Sequence, residues 1–141
     1  MSPVISSRKE IQVRFSEVDS LRMVWHGYYL QYFEDGREDF GKEHGLGYLD
    51  VYANGLVIPL VRAELDYKKP LAYGDTAIVE TRFIDSPASK LIFEYSIYRA
   101  TNNELVCTGR TIQVFLNTEG ELQLNCPDFL LSWKKAVGLS S

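Results

Sequence analysis

The run Asp19-Ser-Leu-Arg-Met-Val-Trp-His-Gly-Tyr-Tyr29, leading directly into residues 30–45, decides how the rest of the chain is arranged. It reads as a loop carrying one acid, then a helix start, then one long helix. Tyr29, Phe33, Gly36 and Phe40 recur at i, i+4, i+7 and i+11, which stacks them along one stripe of a 3.6-residue helix. Glu34, Asp35, Glu38, Asp39, Lys42 and Glu43 point in other directions. Glycine inside a helix costs about 1 kcal/mol relative to alanine, so Gly36 implies a compensating contact. Close approach of the helix backbone to a sheet supplies one. Gly45 and Gly47 mark the helix end.

Outside this helix the pattern switches to strands. Residues 10–15 alternate, with Ile11, Val13 and Phe15 set against Gln12 and Arg14. Residues 46–55 read as a connection. A long strand is expected over 56–68, with Val61, Ala63, Leu65 and Tyr67 on one face; Pro59 implies an edge or a bulge, because proline cannot donate to a ladder. Residues 76–84 alternate again, and Leu91, Phe93, Tyr95 and Ile97 share a face in the strand after them. Asn102-Asn103 signals a hairpin into a strand over 104–116, and 127–137 reads as a short terminal helix. The sum is α+β: a five-stranded antiparallel meander with the long helix lying across its concave face. Such a sheet exposes edges, and long edges tend to pair with another chain, so dimerisation by sheet extension is expected.

Composition narrows the function classes. At 141 residues the chain is expected to form one domain over 1–141. A net charge of -4, with no basic cluster longer than Lys68-Lys69, argues against nucleic-acid binding. The N-terminal residues lack the apolar core of a signal peptide, and no stretch approaches the length of a membrane span, so a cytoplasmic protein without membrane association is expected. The two cysteines, Cys107 and Cys126, have no metal-ligand spacing around them and are expected as free thiols.

Two blocks carry a family resemblance. The first is Val13-Arg14-Phe15-Ser16-Glu17-Val18-Asp19, followed by Met23-Val24-Trp25-His26 and by Tyr29, Phe33-Glu34 and Arg37. The second is Leu65-Asp66-Tyr67-Lys68-Lys69-Pro70-Leu71-Ala72-Tyr73-Gly74-Asp75. Together they resemble the hotdog-fold acyl-CoA thioesterases of the 4-hydroxybenzoyl-CoA thioesterase and YbgC-like branch. The resemblance implies a sheet wrapped around a central helix and hydrolysis of an acyl-CoA at the contact between subunits of a homodimer or homotetramer. It implies Asp19 as general base or nucleophile, and the backbone amides near His26 and Gly27 as the oxyanion donors. No metal or cofactor is called for. The chain departs from the family at Leu21-Arg22, Tyr28 and Phe15. Met23, Trp25 and Tyr28 are expected to line an aromatic acyl pocket, and Arg62, Lys68 and Lys69 to meet the phosphates of CoA.

Duller roles are available for several residues. Asp19 can cap a turn, Glu34 and Arg37 can form an ion pair, and His44 can interact with the helix C-terminus. Two other functions fit the same residues: hydrolysis of acyl groups from acyl carrier protein, and non-catalytic acyl or CoA binding. A binder has no need of a buried acid beside a helix N-terminus.

Overall fold

In a computed structural model, which describes residues 4–139, one helix and one sheet meet through aromatic side chains and two glycines. Helix α1 (Tyr28–His44) buries Tyr29, Tyr32, Phe33, Gly36, Phe40 and Gly41. The stripe read from the sequence is therefore its inner face. The sheet holds β1 (Ser6–Gln12), β3 (Leu60–Tyr67), β4 (Thr76–Ile84), β5 (Lys90–Arg99) and β6 (Glu104–Val114), all antiparallel, in the order β1-β4-β5-β6-β3. Phe33 stacks flat on Tyr95 of β5, ring centroids 4.5 Å apart, and Phe40 meets Phe93 edge-on at 5.1 Å. A Cβ on Gly36 would lie 2.6 Å from Thr81 Oγ1 and 2.7 Å from Val79 Cγ1, so the helix approaches β4 more closely than any larger residue permits. The expected reason for Gly36 holds.

β4 and β5 follow the period-two pattern closely. Ala77, Val79, Thr81 and Phe83 are buried, as are Leu91, Phe93, Tyr95 and Ile97. Helix α3 (Asp128–Ala136) closes one end, its Trp133 ring 4.9 Å from that of Phe83.

Four expectations need correction. β4, β5 and β6 form a meander, but β3 pairs with β6 and not with β4, its neighbour in sequence. The connection after β3 is a crossing that carries the chain to the far side of the sheet, not a tight turn. Residues 56–68 do not form one strand: β2 (Leu56–Val57) leaves to pair with β7 (Leu116–Asn117), Pro59 interrupts the chain, and β3 begins with a bulge at Leu60/Arg62. Phe15 was expected inside; the first strand ends at Gln12, a 3-10 turn follows over Phe15–Glu17, and Phe15 stands 76% exposed against Tyr73. Residues 46–55 contain a short helix, α2 (Tyr48–Tyr52).

Candidate active site

Residues 17–25 form a tight hairpin at the head of α1. The Trp25 amide donates to the Glu17 carbonyl at 2.9 Å, and the Asp19 amide to the Met23 carbonyl at 2.9 Å. Val18 bridges Val24, and Met23 bridges Ala72 in the crossing segment. At the tip the Arg22 amide bonds the Asp19 carbonyl, and Arg22 takes a left-handed φ of 64°. Asp19 Oδ1 accepts from the Leu21 amide at 2.8 Å, an Asx turn. Asp19 therefore does cap its turn, with one oxygen, and it is exposed where a buried acid was expected. Oδ2 has no hydrogen-bond partner among the described residues.

The hairpin delivers the chain to the start of α1. Tyr28 and Tyr29 amides bond back to the carbonyls of Trp25 and His26, at 3.0 and 3.4 Å. The amides of His26 and Gly27 have no hydrogen-bond partner among the described residues. They stand ahead of a helix with no acidic side chain in its first turn, where the aligned peptide dipoles leave partial positive charge. The Trp25 ring lies against Gly27: a Cβ there would fall 2.0 Å from it, so a larger residue would have to displace this half-exposed ring.

Asp19 and His26 share a cleft of about 310 Å3 lined by Asp19, Met23, Val24, His26, Tyr29, Tyr67, Lys68, Lys69 and Pro70; Gly27, expected in the site, is next in the chain but not among the lining residues. Asp19, His26, Met23, Lys68 and Lys69 of the expected site are thus together. Trp25 and Tyr28, expected to line the acyl pocket, do not line this cleft; their rings meet each other at 5.9 Å between centroids, and Trp25 is 50% exposed. Arg62 is elsewhere. It pairs with Glu64 on β3 and does not line the cleft, because alternation along the strand sends it to the face opposite Tyr67.

Three groups with no assigned role in the sequence reading hold this head together. The Tyr67 hydroxyl donates to the His26 carbonyl at 3.1 Å. The Leu71 amide donates to the Tyr29 hydroxyl at 3.1 Å, and burial pushes the Tyr29 phenol above its ordinary value. Glu17 is buried, its Oε1 accepting from the Tyr32 hydroxyl and from the Arg14 amide, each at 2.8 Å. The only signal for Glu17 is its place in the first resemblance block; Tyr67 stands in the second block as well as in the alternation of β3.

A second cavity, about 540 Å3, lies along the middle of α1 and is lined in part by Glu34, Arg37, Glu38, Ile58 and Gln113. No Glu34–Arg37 ion pair forms among the described residues. Arg37 instead turns inward, its guanidinium 4.4 Å from the Phe93 ring centroid and its Nε donating to Gln113 Oε1 at 3.1 Å. Burial lowers its pKa to about 10. This cavity is the roomier, but it lacks the pairing of a half-free carboxylate with open amides. The cleft at the head of α1 is the better candidate on chemistry.

His44 does more than face the helix dipole. Its Nε2 lies 2.8 Å from the Ser6 carbonyl and its own carbonyl accepts from Trp133 Nε1 at 2.6 Å, which ties α1, β1 and α3.

Comparison with known proteins agrees with this architecture. The chain is 34% identical over 134 residues to YneP of Bacillus subtilis, a proposed acyl-CoA thioesterase, covering 92% of this chain and 96% of that one. The structure superposes on the DHNA-CoA thioesterase of Staphylococcus aureus with a TM-score of 0.81 at 25% identity, covering 93% and 90% of the two chains. It shares its fold with a 4-hydroxybenzoyl-CoA thioesterase, TM-score 0.77 at 20% identity over 89% and 96%. The sequence pattern of the thioesterase-like superfamily matches residues 13–134, and the chain belongs to that hotdog-fold family.

Proposed function

We propose that the protein hydrolyses an acyl-CoA thioester at the cleft between Asp19 and the head of α1. Membership of the superfamily makes it a thioester hydrolase; the substrate and the residue roles are the proposal. The observation that carries it is the meeting, in one cleft, of a carboxylate with one uncommitted oxygen and His26 with its unpartnered amide, the unpartnered Gly27 amide following directly in the chain. Asp19 takes a proton from water as the water oxygen attacks the carbonyl carbon. The His26 and Gly27 amides hydrogen-bond the oxyanion that forms. The C–S bond then breaks, and the proton passes to the departing CoA thiolate. Attack by Asp19 itself, through an anhydride that water then opens, uses the same atoms. Oxyanion donors of this kind contribute about 3–4 kcal/mol each. Lys68 and Lys69, on the cleft wall, supply cations for the CoA phosphates.

The cleft is open on one side, and β3 is the edge strand beside it, with Val61 57% and Tyr67 53% exposed. We assign the missing wall to a second copy joined along β3, in a homodimer or a pair of dimers. The test is a panel of aryl, short-chain and long-chain acyl-CoA esters with detection of the released thiol. Turnover by the wild type that is lost in Asp19→Asn supports the reading. Equal turnover by Asp19→Asn removes Asp19 from it, and a monomer by sedimentation removes the shared wall.

A further inference from the structure

We infer that Glu17 is a positioning residue which sets the distance between the Asp19 hairpin and the amides at the head of α1; this rests on the thioesterase reading of that cleft. Its side chain is 3% exposed, although no apolar function is served by an acid there. Taking a carboxylate out of water is expensive unless donors replace the water, and a residue needed only for packing would be apolar. Glu17 has those donors, from Tyr32 on α1 and from Arg14 in its own turn. Tyr32 brings α1, from one turn beyond its start. The Arg14 amide brings the residue that opens the 3-10 turn after the first strand, and Arg14 Nη1 lies 3.4 Å from Oε2. The Glu17 carbonyl receives the Trp25 amide, the last rung before the open amides of His26 and Gly27.

One residue therefore grips the helix with its side chain and the hairpin with its backbone. Asp19 is two residues away on one arm, and His26 is next to Trp25 on the other. The carboxylate does not line the cleft, so it acts through these neighbours and not on substrate. Its hold on Tyr32 is strong in one direction: burial, then the hydrogen bond to Glu17, raises the Tyr32 phenol far above its ordinary value, so the hydroxyl stays a donor at every physiological pH. A reactant displaced by about 1 Å can lose about 100-fold in rate, so slackening this clamp should be visible in turnover.

The experiment compares Tyr32→Phe, Glu17→Gln and Glu17→Ala with the wild type, using whichever acyl-CoA the wild type hydrolyses best. Tyr32→Phe removes one hydroxyl and keeps the ring. It should lower kcat about tenfold or more at unchanged KM, leave the pH–rate profile in place, and speed hydrogen exchange of the Trp25 amide. Glu17→Gln keeps an oxygen for Tyr32 and the Arg14 amide and should restore most of what Glu17→Ala loses. In an Asp19→Asn background, Tyr32→Phe should cost nothing further, because the clamp works through Asp19. Full kcat in Tyr32→Phe, with only a lowered Tm, would make Glu17 a structural prop and overturn the inference. A shifted pH profile in Glu17→Gln would overturn it too, by putting the acid in the chemistry. If the wild type turns over no thioester, that failure belongs to the functional reading; the exchange of the Trp25 amide still decides whether the clamp exists.

Discussion

The two ends of α1 are built on opposite terms. At the tail, polar groups are closed off: Trp133 Nε1 donates to the His44 carbonyl, the Leu46 amide bonds the Gly41 carbonyl, and Phe40, Phe83, Phe93 and Trp133 pack as one aromatic cluster. At the head, two amides and one carboxylate oxygen are left open, Trp25 faces solvent, and Arg22 adopts a left-handed backbone. A fold gains nothing in stability from open donors or a strained loop tip. On the proposed mechanism, stability is supplied at one end of the helix and reactivity kept at the other.

The sharpest way to break this division is to remove the proposed reactive group. Asp19→Asn keeps the side chain's size and its oxygen for the Leu21 amide. Rate should fall about 10^3- to 10^4-fold, on the order of 4–5 kcal/mol of barrier, with the melting temperature unmoved. A thiol-release assay beside a thermal melt measures both; a large loss of stability would mean the acid is part of the scaffold after all. The mirror experiment is at the tail. Phe40 is fully buried, and Phe40→Ala should cost about 3–5 kcal/mol in denaturant unfolding. The folded fraction should keep its kcat. A fall in kcat as large as in Asp19→Asn would mean the two ends are not separable.

How much of this contrast the sequence shows follows from what local pattern encodes. The inner stripe of α1 and the faces of β4 and β5 are legible, because burial on one side imposes period 3.6 or period 2 on Tyr29, Phe33 and Phe40, and on Ala77, Val79 and Phe83. The pairing of β3 with β6 is not, since alternation fixes which face a residue takes and not which strand lies beside it. Phe15 misleads for the same reason: its spacing continues β1, but the strand stops at Gln12. In the site, Asp19 and His26 are legible through the motif. The Glu17–Tyr32 bond is not, because it joins residues fifteen apart whose geometry exists only after the helix has packed.

Alkaline pH should loosen the two ends unequally. Burial raises the Tyr29 and Tyr67 phenols, and burial together with the Asp66 charge raises the Cys107 thiol to about 12. These groups belong to the head, where Tyr29 and Tyr67 hold Leu71 and His26. An acid whose folded-state pKa is raised gives stability that is complete below its unfolded value, about 8.5 for cysteine and 10 for tyrosine. That stability is lost as pH rises through the gap, because the unfolded chain ionises first. Stability should therefore decline from about pH 9 toward 12, and amides of the head, such as Val24, should lose exchange protection beyond the intrinsic base effect before those around Phe40. Uniform loss along α1 would erase the distinction.

The finest test sets Arg22 against Gly45, two left-handed positions at opposite ends, with φ of 64° and 72°. A left-handed L-residue costs about 1–2 kcal/mol, which glycine avoids. Gly45 avoids it at the tail. A Cβ there meets nothing within 4 Å, so Gly45→Ala carries only the backbone penalty and should cost about 1 kcal/mol. Arg22→Gly runs the other way, relieving that penalty while loosening the unfolded chain by about 0.4–1 kcal/mol. The net should be a gain of about 0.5 kcal/mol in urea unfolding. Activity is the discriminating readout. Arg22 has no side-chain partner among the described residues, but its backbone closes the turn that presents Asp19. Relief of the strain should leave kcat within about twofold if the Asx bond from Leu21 alone fixes the acid, since a shift of only about 0.4 kcal/mol in barrier would follow. A drop beyond tenfold, with stability gained, would show that the strained tip itself holds Asp19 in place, and would extend the contrast between the two ends from open hydrogen bonds to the backbone.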